Sequence, residues 1–310
     1  MNKIKTFILV LFFLIICGCS KGEYKEYTNE FHYFDSDINI KIYTTSYEKA
    51  SVVFSDIEDI YKKYENITNR DNSNSEVSKI KNKAGIKLSN EMNNLIKYSK
   101  DLYNDSDKLL SINTGDIVDL WKISDTVPDS SNIDTSLDKL VIKNGKLTNK
   151  MNLYFDNYIK GYTNKLVKEY LDSMNIDYYF INTGNEVLVG SGIDDEDYIV
   201  LIGSPFSNNV LKSFSVQNKY IVTKSIYYNS YKIGDEIYSN IVDAKDKTMA
   251  SNMISVTVSG DDIYTTELVA NMLFINDYYD GIDIANEYNV DAIWCYMDKS
   301  GNEIIKSNMD

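Results

Sequence analysis

The chain has 310 residues, with 46 acidic and 32 basic side chains and a formal net charge of −14. This balance excludes a nucleic-acid partner, because nucleic-acid phosphates need a basic face. One histidine, His32, leaves little scope for Ser-His or Cys-His catalysis, and only Cys295 follows residue 19, so neither a disulfide framework nor a zinc site is expected. We find no Gly/Ser linker that would divide the chain.

The N-terminus has the pattern of a secretory signal. Two lysines in MNKIKT precede the apolar run FILVLFFLII, which is too short for an ordinary membrane-spanning helix, and CGCS follows. Residues 1–18 resemble a bacterial lipoprotein signal, with lipid attached to Cys19; the alternative is a plain signal peptide with an incidental cysteine. We predict a polar tether over 19–30, a folded domain over 31–310, and a lipid-anchored protein at the extracytoplasmic face of the cell membrane.

The first predicted elements are a strand and three helices. FDSDINIKIYT alternates so that Ile38, Ile40 and Ile42 share one face of a strand. Apolar residues then recur at helical spacing over 47–64, and a short helix in SEVSKIKN has Ser75 as its cap. A further amphipathic helix is predicted over 90–110. In TGDIVDLWKI, the indole of Trp121 fits a core position better than a cofactor platform.

The segment LYFDNYIKGYTNKLVKEYL, at 153–171, predicts a helix with Lys160 and Gly161 in its first turn. A helical glycine costs about 1 kcal/mol relative to alanine, so its missing side chain should serve a purpose. One explanation is the close approach of a phosphate or ring, with Lys160 pairing with the anion at the positive end of the helix dipole. The other is tight packing against a neighbouring strand, with Lys160 in solvent.

The C-terminal half predicts mostly strands. DYYFINTGNEVLVGSG is interpreted as a hairpin that turns near 183–185, several strands follow, and VDAIWCYMDKSGNEIIKSN forms a closing hairpin. YKIGDEIYSNIVDAKDKT between them is predicted to be irregular, and TTELVANMLFIND to be a helix. The mixture lacks βαβ alternation, and we expect an α+β fold with a mostly antiparallel sheet and flanking helices.

DDIYTTELVANML is a place to look for metal ligands. Hard cations favour oxygen ligands, which one helix supplies from residues one turn apart. Thr266 and Ala270 have that spacing, but alanine has no ligand atom. Glu267 and the two aspartates before the helix are close in sequence without any requirement to converge.

Six segments, in order, resemble the ApbE family of FAD:protein FMN transferases: SEVSKIKN, TGDIVDLW, YIKGYTNKL, INTGNEVLVG, NIVDAKDKTMASNMISVTV and TTELVANML. The resemblance implies a single large ApbE-like (T-fold-related) domain. It also implies cleavage of FAD, transfer of FMN to a threonine or serine of an extracytoplasmic acceptor protein, release of AMP, and use of Mg²⁺.

The resemblance places FAD-binding positions on Lys160, Gly161, Tyr162, Gly184 and Ile241. It places the family's metal positions on Asn157, Thr266 and Ala270, with Asp156 and Glu267 as possible substitutes. This chain departs from the family pattern at several of these segments: Asn240 replaces a histidine, and the family's Thr-Ser-Gly becomes Thr223-Lys224-Ser225. The alternatives are a non-catalytic ApbE-like lipoprotein that binds flavin or a partner protein, and an unrelated solute-binding lipoprotein.

Overall fold

The computed structural model describes residues 23–309. The predicted signal peptide and Cys19 lie outside the described residues. Helices in this range are α1 (Tyr47–Thr68), α2 (Glu76–Asn82), α3 (Asn90–Asp105), α4 (Gly115–Lys122), α5 (Ile159–Ser173), α6 (Ile263–Ile275) and α7 (Tyr278–Glu287), with a 3₁₀ turn at Ile193–Asp195. None of these helices is long and apolar enough to cross a membrane.

The strands are β1 (Lys25–Tyr33), β2 (Ser36–Thr44), β3 (Ile86–Lys87), β4 (Ile142–Lys143), β5 (Lys146–Leu147), β6 (Tyr179–Asn182), β7 (Glu186–Val189), β8 (Tyr198–Gly203), β9 (Val210–Val216), β10 (Lys219–Ser225), β11 (Tyr231–Ile233), β12 (Glu236–Tyr238), β13 (Val242–Asp243), β14 (Thr248–Met249), β15 (Ser255–Gly260), β16 (Asp291–Met297) and β17 (Glu303–Ser307). The main sheet has the order β1-β2-β6-β7-β10-β15-β16-β17. Every neighbouring pair in it is antiparallel, which confirms the predicted α+β class.

Helices cover one face of the main sheet. The isoleucines of β2 are buried there, as predicted, and pack in one large core with α1, α5 and α6. Side-chain caps begin several helices, including the predicted bond in which the Ser75 hydroxyl accepts from the amide of Ser78. The β8–β9 hairpin packs on the opposite face, over a smaller cluster that contains the buried Cys295.

Three features differ from the predictions. The predicted tether over 19–30 overlaps β1, because residues from Lys25 onward pair with β2 along its full length. The segment after α6 folds as α7, which the sequence analysis did not predict, and the segment expected to be irregular contains the short strands β11 to β14. Short strands of two or three residues give no detectable alternation.

Candidate functional site

A cleft opens where the N-terminus of α5 meets the ends of β7 and β10. It has three adjoining parts, which we call the outer cavity, the inner pocket and the sheet cavity. The outer cavity has a volume of about 500 Å³ and includes Arg70, Tyr154 and Tyr231 in its wall. The inner pocket shares Asp156, Lys160 and Asn229 with the outer cavity, and shares Asn185, Ser225 and Tyr228 with the sheet cavity.

Lys160 lies where the outer cavity and inner pocket meet. Its ammonium donates to Ser36 Oγ at 3.2 Å, to the carbonyl oxygen of Thr183 at 3.4 Å and to Asn185 Oδ1. All three acceptors are neutral, and no described carboxylate pairs with this ammonium within ion-pair distance. Burial lowers the pKa of Lys160 below its usual value, and nearby Glu186 opposes that shift. The charge is therefore held in place without being neutralised by a direct partner.

Gly161 serves packing, but not against the strand that the sequence analysis considered. A β-carbon at this position would lie 2.9 Å from Cγ and 3.0 Å from Oε2 of Glu267 on α6. The missing side chain makes room for that carboxylate. Gly161 itself does not line the described cavities.

The structure does not bring Tyr162 to the cleft. Its ring lies in the core, with ring centroids 5.3 Å from Tyr64 and 4.9 Å from Tyr98 in edge-on packing. Tyr162 therefore orients α5 through the core.

Gly184 and Ile241 do lie on the cleft. Gly184 has a positive φ of 89° in the β6–β7 turn and lines the sheet cavity, beside the Asn185 that holds Lys160. Ile241 lines the inner pocket, where its carbonyl already accepts from the amide of Ala250 at 2.8 Å. Lys160, Gly184 and Ile241 thus converge on one cleft, although they come from three separate segments.

A buried ion pair closes the inner end of the pocket. The Lys224 ammonium, from β10, donates to Glu267 Oε1 and to the backbone carbonyl of Asn157 at 3.3 Å. The two charged side chains are only 6% and 0% exposed. Burial raises the pKa of Glu267 above its usual value, and the adjacent Lys224 ammonium limits the rise. In the sequence, Lys224 stands out only as a departure from a family segment.

On α6, the Glu267 carboxylate of this pair has a second partner, Asn271. Asn271 Nδ2 donates to Glu267 Oε1 at 2.9 Å, one helical turn away. Thr266, by contrast, donates its hydroxyl to the carbonyl of Asp262 in its own helix at 2.6 Å, and Ala270 offers no ligand atom. The structure therefore brings Asn157 and Glu267 together and leaves Thr266 and Ala270 out.

The residues present do not fit a divalent cation. Among residues 23–309, no group of three or more histidine, cysteine or acidic side chains is placed to hold a metal ion. Two of the oxygens that could contribute, Glu267 Oε1 and the Asn157 carbonyl, are already bonded to the Lys224 ammonium. A divalent ion about 4 Å from that ammonium would be repelled by about 8 kcal/mol at an effective dielectric constant of about 20.

Asp156 faces both the outer cavity and the inner pocket. Its side chain is open to the solvent in the cleft, yet protein surrounds it on most sides. Desolvation raises the pKa of Asp156 to about 6, and the positive charge of Arg70 works against that rise. At neutral pH it is a carboxylate with a higher proton affinity than an ordinary surface aspartate, which suits a proton acceptor.

These geometric features coincide with a family match. The model of the ApbE family matches residues 34–294, which is most of the chain. The chain belongs to the ApbE family.

Individual ApbE relatives are distant in sequence and close in fold. A curated FAD:protein FMN transferase from Vibrio cholerae is 24% identical over 201 residues, which is 59% of this chain and 60% of that protein, so the match spans less than two thirds of the relative. The structure of the flavin transferase ApbE from Vibrio cholerae has a TM-score of 0.75 at 17% identity, covering 92% of this chain and 97% of the other. The apo flavinyl transferase ApbE from Pseudomonas stutzeri has a TM-score of 0.76 at 17% identity, covering 92% of this chain and 94% of the other. The ApbE protein from Thermotoga maritima has a TM-score of 0.77 at 15% identity, covering 91% of this chain and 97% of the other.

Arg70, in the cleft wall of this ApbE-family chain, was not predicted from the sequence. Arg70 donates to Asp119 Oδ1 at 2.8 Å and to Asn152 Oδ1 at 2.9 Å, and its guanidinium lies 5.4 Å from the ring centre of Tyr154. It is the sole arginine of a lysine-rich chain, and that rarity was the available signal. An arginine can hold two acceptors and an aromatic face at once, which a lysine does less well.

Proposed function

We propose that this chain is an FAD:protein FMN transferase that moves FMN from FAD to a threonine or serine hydroxyl of an acceptor protein and releases AMP. The observation that carries the proposal is the Lys160 ammonium, fixed by three neutral oxygens at the junction of the outer cavity and the inner pocket. A half-buried cation with no direct counter-charge suits a pyrophosphate. The family match and the FMN transferase from Vibrio cholerae support the same activity.

The reaction can be written with this chain's own residues. The acceptor hydroxyl oxygen forms a bond to the phosphorus of the FMN half, and the bond from that phosphorus to the bridging oxygen breaks. AMP leaves with the bridging oxygen, and the hydroxyl proton passes to the carboxylate of Asp156. Lys160 neutralises charge on the pyrophosphate, because phosphoryl transfer depends mostly on positioning and charge stabilisation.

We also propose where the reaction takes place. The N-terminal pattern supports a lipid on Cys19 and a position at the extracytoplasmic face of the membrane. The acceptor is then an extracytoplasmic protein with an accessible threonine or serine.

A second candidate function is a non-catalytic lipoprotein that holds flavin or a partner protein. The observation that favours it is the Lys224–Glu267 pair, since Glu267 is committed to an internal partner. The replacement of a family histidine by Asn240 also favours the non-catalytic candidate. Asn240 donates to the Tyr154 hydroxyl at 2.9 Å and cannot act as a base.

The test is to incubate the full chain, purified in detergent, with FAD and a peptide that contains an acceptor threonine. AMP release and the mass of the peptide are followed, with Lys122→Met as a control because Lys122 lies on the same cavity but is 67% exposed. AMP release together with a peptide carrying FMN supports the transferase. FAD that binds without cleavage supports the second candidate, and no FAD binding contradicts both.

A further inference from the structure

The Lys224 side chain enters a buried polar site between the start of α5 and one face of α6. Its ammonium bonds the backbone carbonyl of Asn157 and the carboxylate of Glu267, as described above. An ammonium has three protons, and these two acceptors use two of them. Oxygen atoms of the protein therefore surround this ammonium as they would surround a bound cation, and solvent does not.

The oxygens around this ammonium are of the kind that bind hard metal ions. The two that it bonds are a carboxylate oxygen and a backbone carbonyl oxygen, both classes of ligand that Mg²⁺ and Ca²⁺ use in proteins. Glu267 Oε2 and Asn271 Oδ1 are buried and have no hydrogen-bond partner among the described residues. Both atoms belong to the side chains of the bonded Glu267–Asn271 pair, so this buried polar site holds more oxygen acceptors than the Lys224 ammonium satisfies.

Gly161 shows that the fold makes room for this carboxylate. Any larger residue there would contact Glu267 at about 3 Å or less, so the start of α5 is shaped around the Glu267 side chain. The pocket, its carboxylate and its cation therefore form one unit drawn from α5, α6 and β10.

We propose that the Lys224 ammonium takes the place of a divalent cation in this chain. The lysine then balances the charge of Glu267 without a metal. This inference rests on the proposed function in one respect: the inner pocket would then lie beside a phosphate of bound FAD. A divalent ion and Lys224 exclude each other, because both need the same oxygens and both are positive.

The experiment compares Mn²⁺ binding to the full-length wild type, Lys224→Ser and Lys224→Met, in detergent and without FAD, by electron paramagnetic resonance. Serine removes the ammonium and leaves space and a hydroxyl, whereas methionine removes the charge but keeps the volume. We expect Lys224→Ser to bind one Mn²⁺ at least about 100-fold more tightly than the wild type, because the like charge is gone and the space beside the oxygens is open to the ion. Lys224→Met should remain as weak as the wild type, and Glu267→Gln in the Lys224→Ser background should lose the new site.

Mn²⁺ binding to the wild type tests the proposal even if Lys224→Ser fails to fold. One tight Mn²⁺ in the wild type that disappears in Glu267→Gln would overturn the proposal, as would a folded Lys224→Ser variant with no gain in binding. These readings use no flavin, so they stand whether or not the chain transfers FMN. If it does, wild-type turnover should resist EDTA and Lys224→Ser turnover should require Mg²⁺; loss of wild-type turnover in EDTA would contradict the proposal while leaving the transferase intact.

Discussion

Two lysines of the same cleft have opposite surroundings. Lys160 is held by neutral oxygens at the junction of two cavities, whereas Lys224 is almost fully buried and paired with Glu267. Removing a charge has different consequences in the two places. At Lys224 it leaves an uncompensated buried carboxylate, so the pair matters for stability. At Lys160 it leaves neutral groups, so the charge is available for a ligand.

The largest expected effect is on stability at the buried pair. Lys224→Met should lower the free energy of unfolding by about 3–5 kcal/mol at pH 8, since Glu267 is left charged and unpaired. The loss should shrink as the pH falls, because the variant raises the native pKa of Glu267 further above its unfolded value and protonation then favours the native state. Urea denaturation from pH 5 to 8 measures this.

The matched controls are Lys160→Met, which should cost only about 1 kcal/mol, and Lys224→Met combined with Glu267→Leu, which should regain most of the lost stability because no charge remains buried. Equal losses for the two single lysine variants would refute the contrast between them.

The next effect concerns the carboxylate beside Lys160. Asp156→Asn should reduce FMN transfer by about 10²–10⁴-fold, the range expected for a lost proton acceptor. In the wild type, kcat/KM should fall as the pH drops below about 6, where Asp156 becomes protonated, and the variant should lack that limb. FAD affinity serves as the control and should change little; an unaltered pH profile in Asp156→Asn would assign the proton to another group.

A smaller effect is expected on ligand binding at Lys160. Lys160→Met should weaken FAD binding by about 10- to 100-fold, because one charge-assisted hydrogen bond contributes about 1.5–3 kcal/mol. Fluorescence titration of FAD measures it, with Lys122→Met as the matched lysine at the exposed edge of the same cavity. Comparable losses in both variants would mean that general charge, and not the position of Lys160, attracts the ligand.

The smallest effect is the net change at Gly161. Gly161→Ala gains about 1 kcal/mol of helix propensity but forces the side chain of Glu267 to move, which costs about 1–3 kcal/mol. We expect a net destabilisation of about 1 kcal/mol in urea denaturation. In a Glu267→Ala background the same substitution should stabilise the protein, and additivity of the two changes would show that Gly161 does not serve Glu267.

Much of the fold could be predicted because its signals are local. The alternation of Ile38, Ile40 and Ile42, the cap at Ser75 and the turn at Gly184 each depend on residues close together in sequence. The order of six short segments was enough to indicate the family that the comparisons then established. Helix α7 was missed although its cap is formed by Asp277.

The candidate site was predicted less well, and α6 shows why. Successive helical residues differ by about 100° in direction, so an assignment shifted by one residue selects another face. The spacing points to Thr266 and Ala270 as ligand positions, but Glu267 is the α6 residue that bonds Lys224, with Asn271 bonded to it. The positions of the lysines in the sequence likewise could not show that Lys224 enters the cleft beside Lys160.

The sequence alone determined the antiparallel α+β class, the helix at Lys160-Gly161 and the resemblance to the ApbE family, because periodicity and motif order are properties of neighbouring residues. Only the tertiary structure decided that Gly161 accommodates Glu267, that Arg70 enters the cleft wall and that Lys224 reaches Glu267, 43 positions along the chain. These contacts join separate elements. Burial then gives them their strength, since a charge removed from water depends on the partner that the fold supplies.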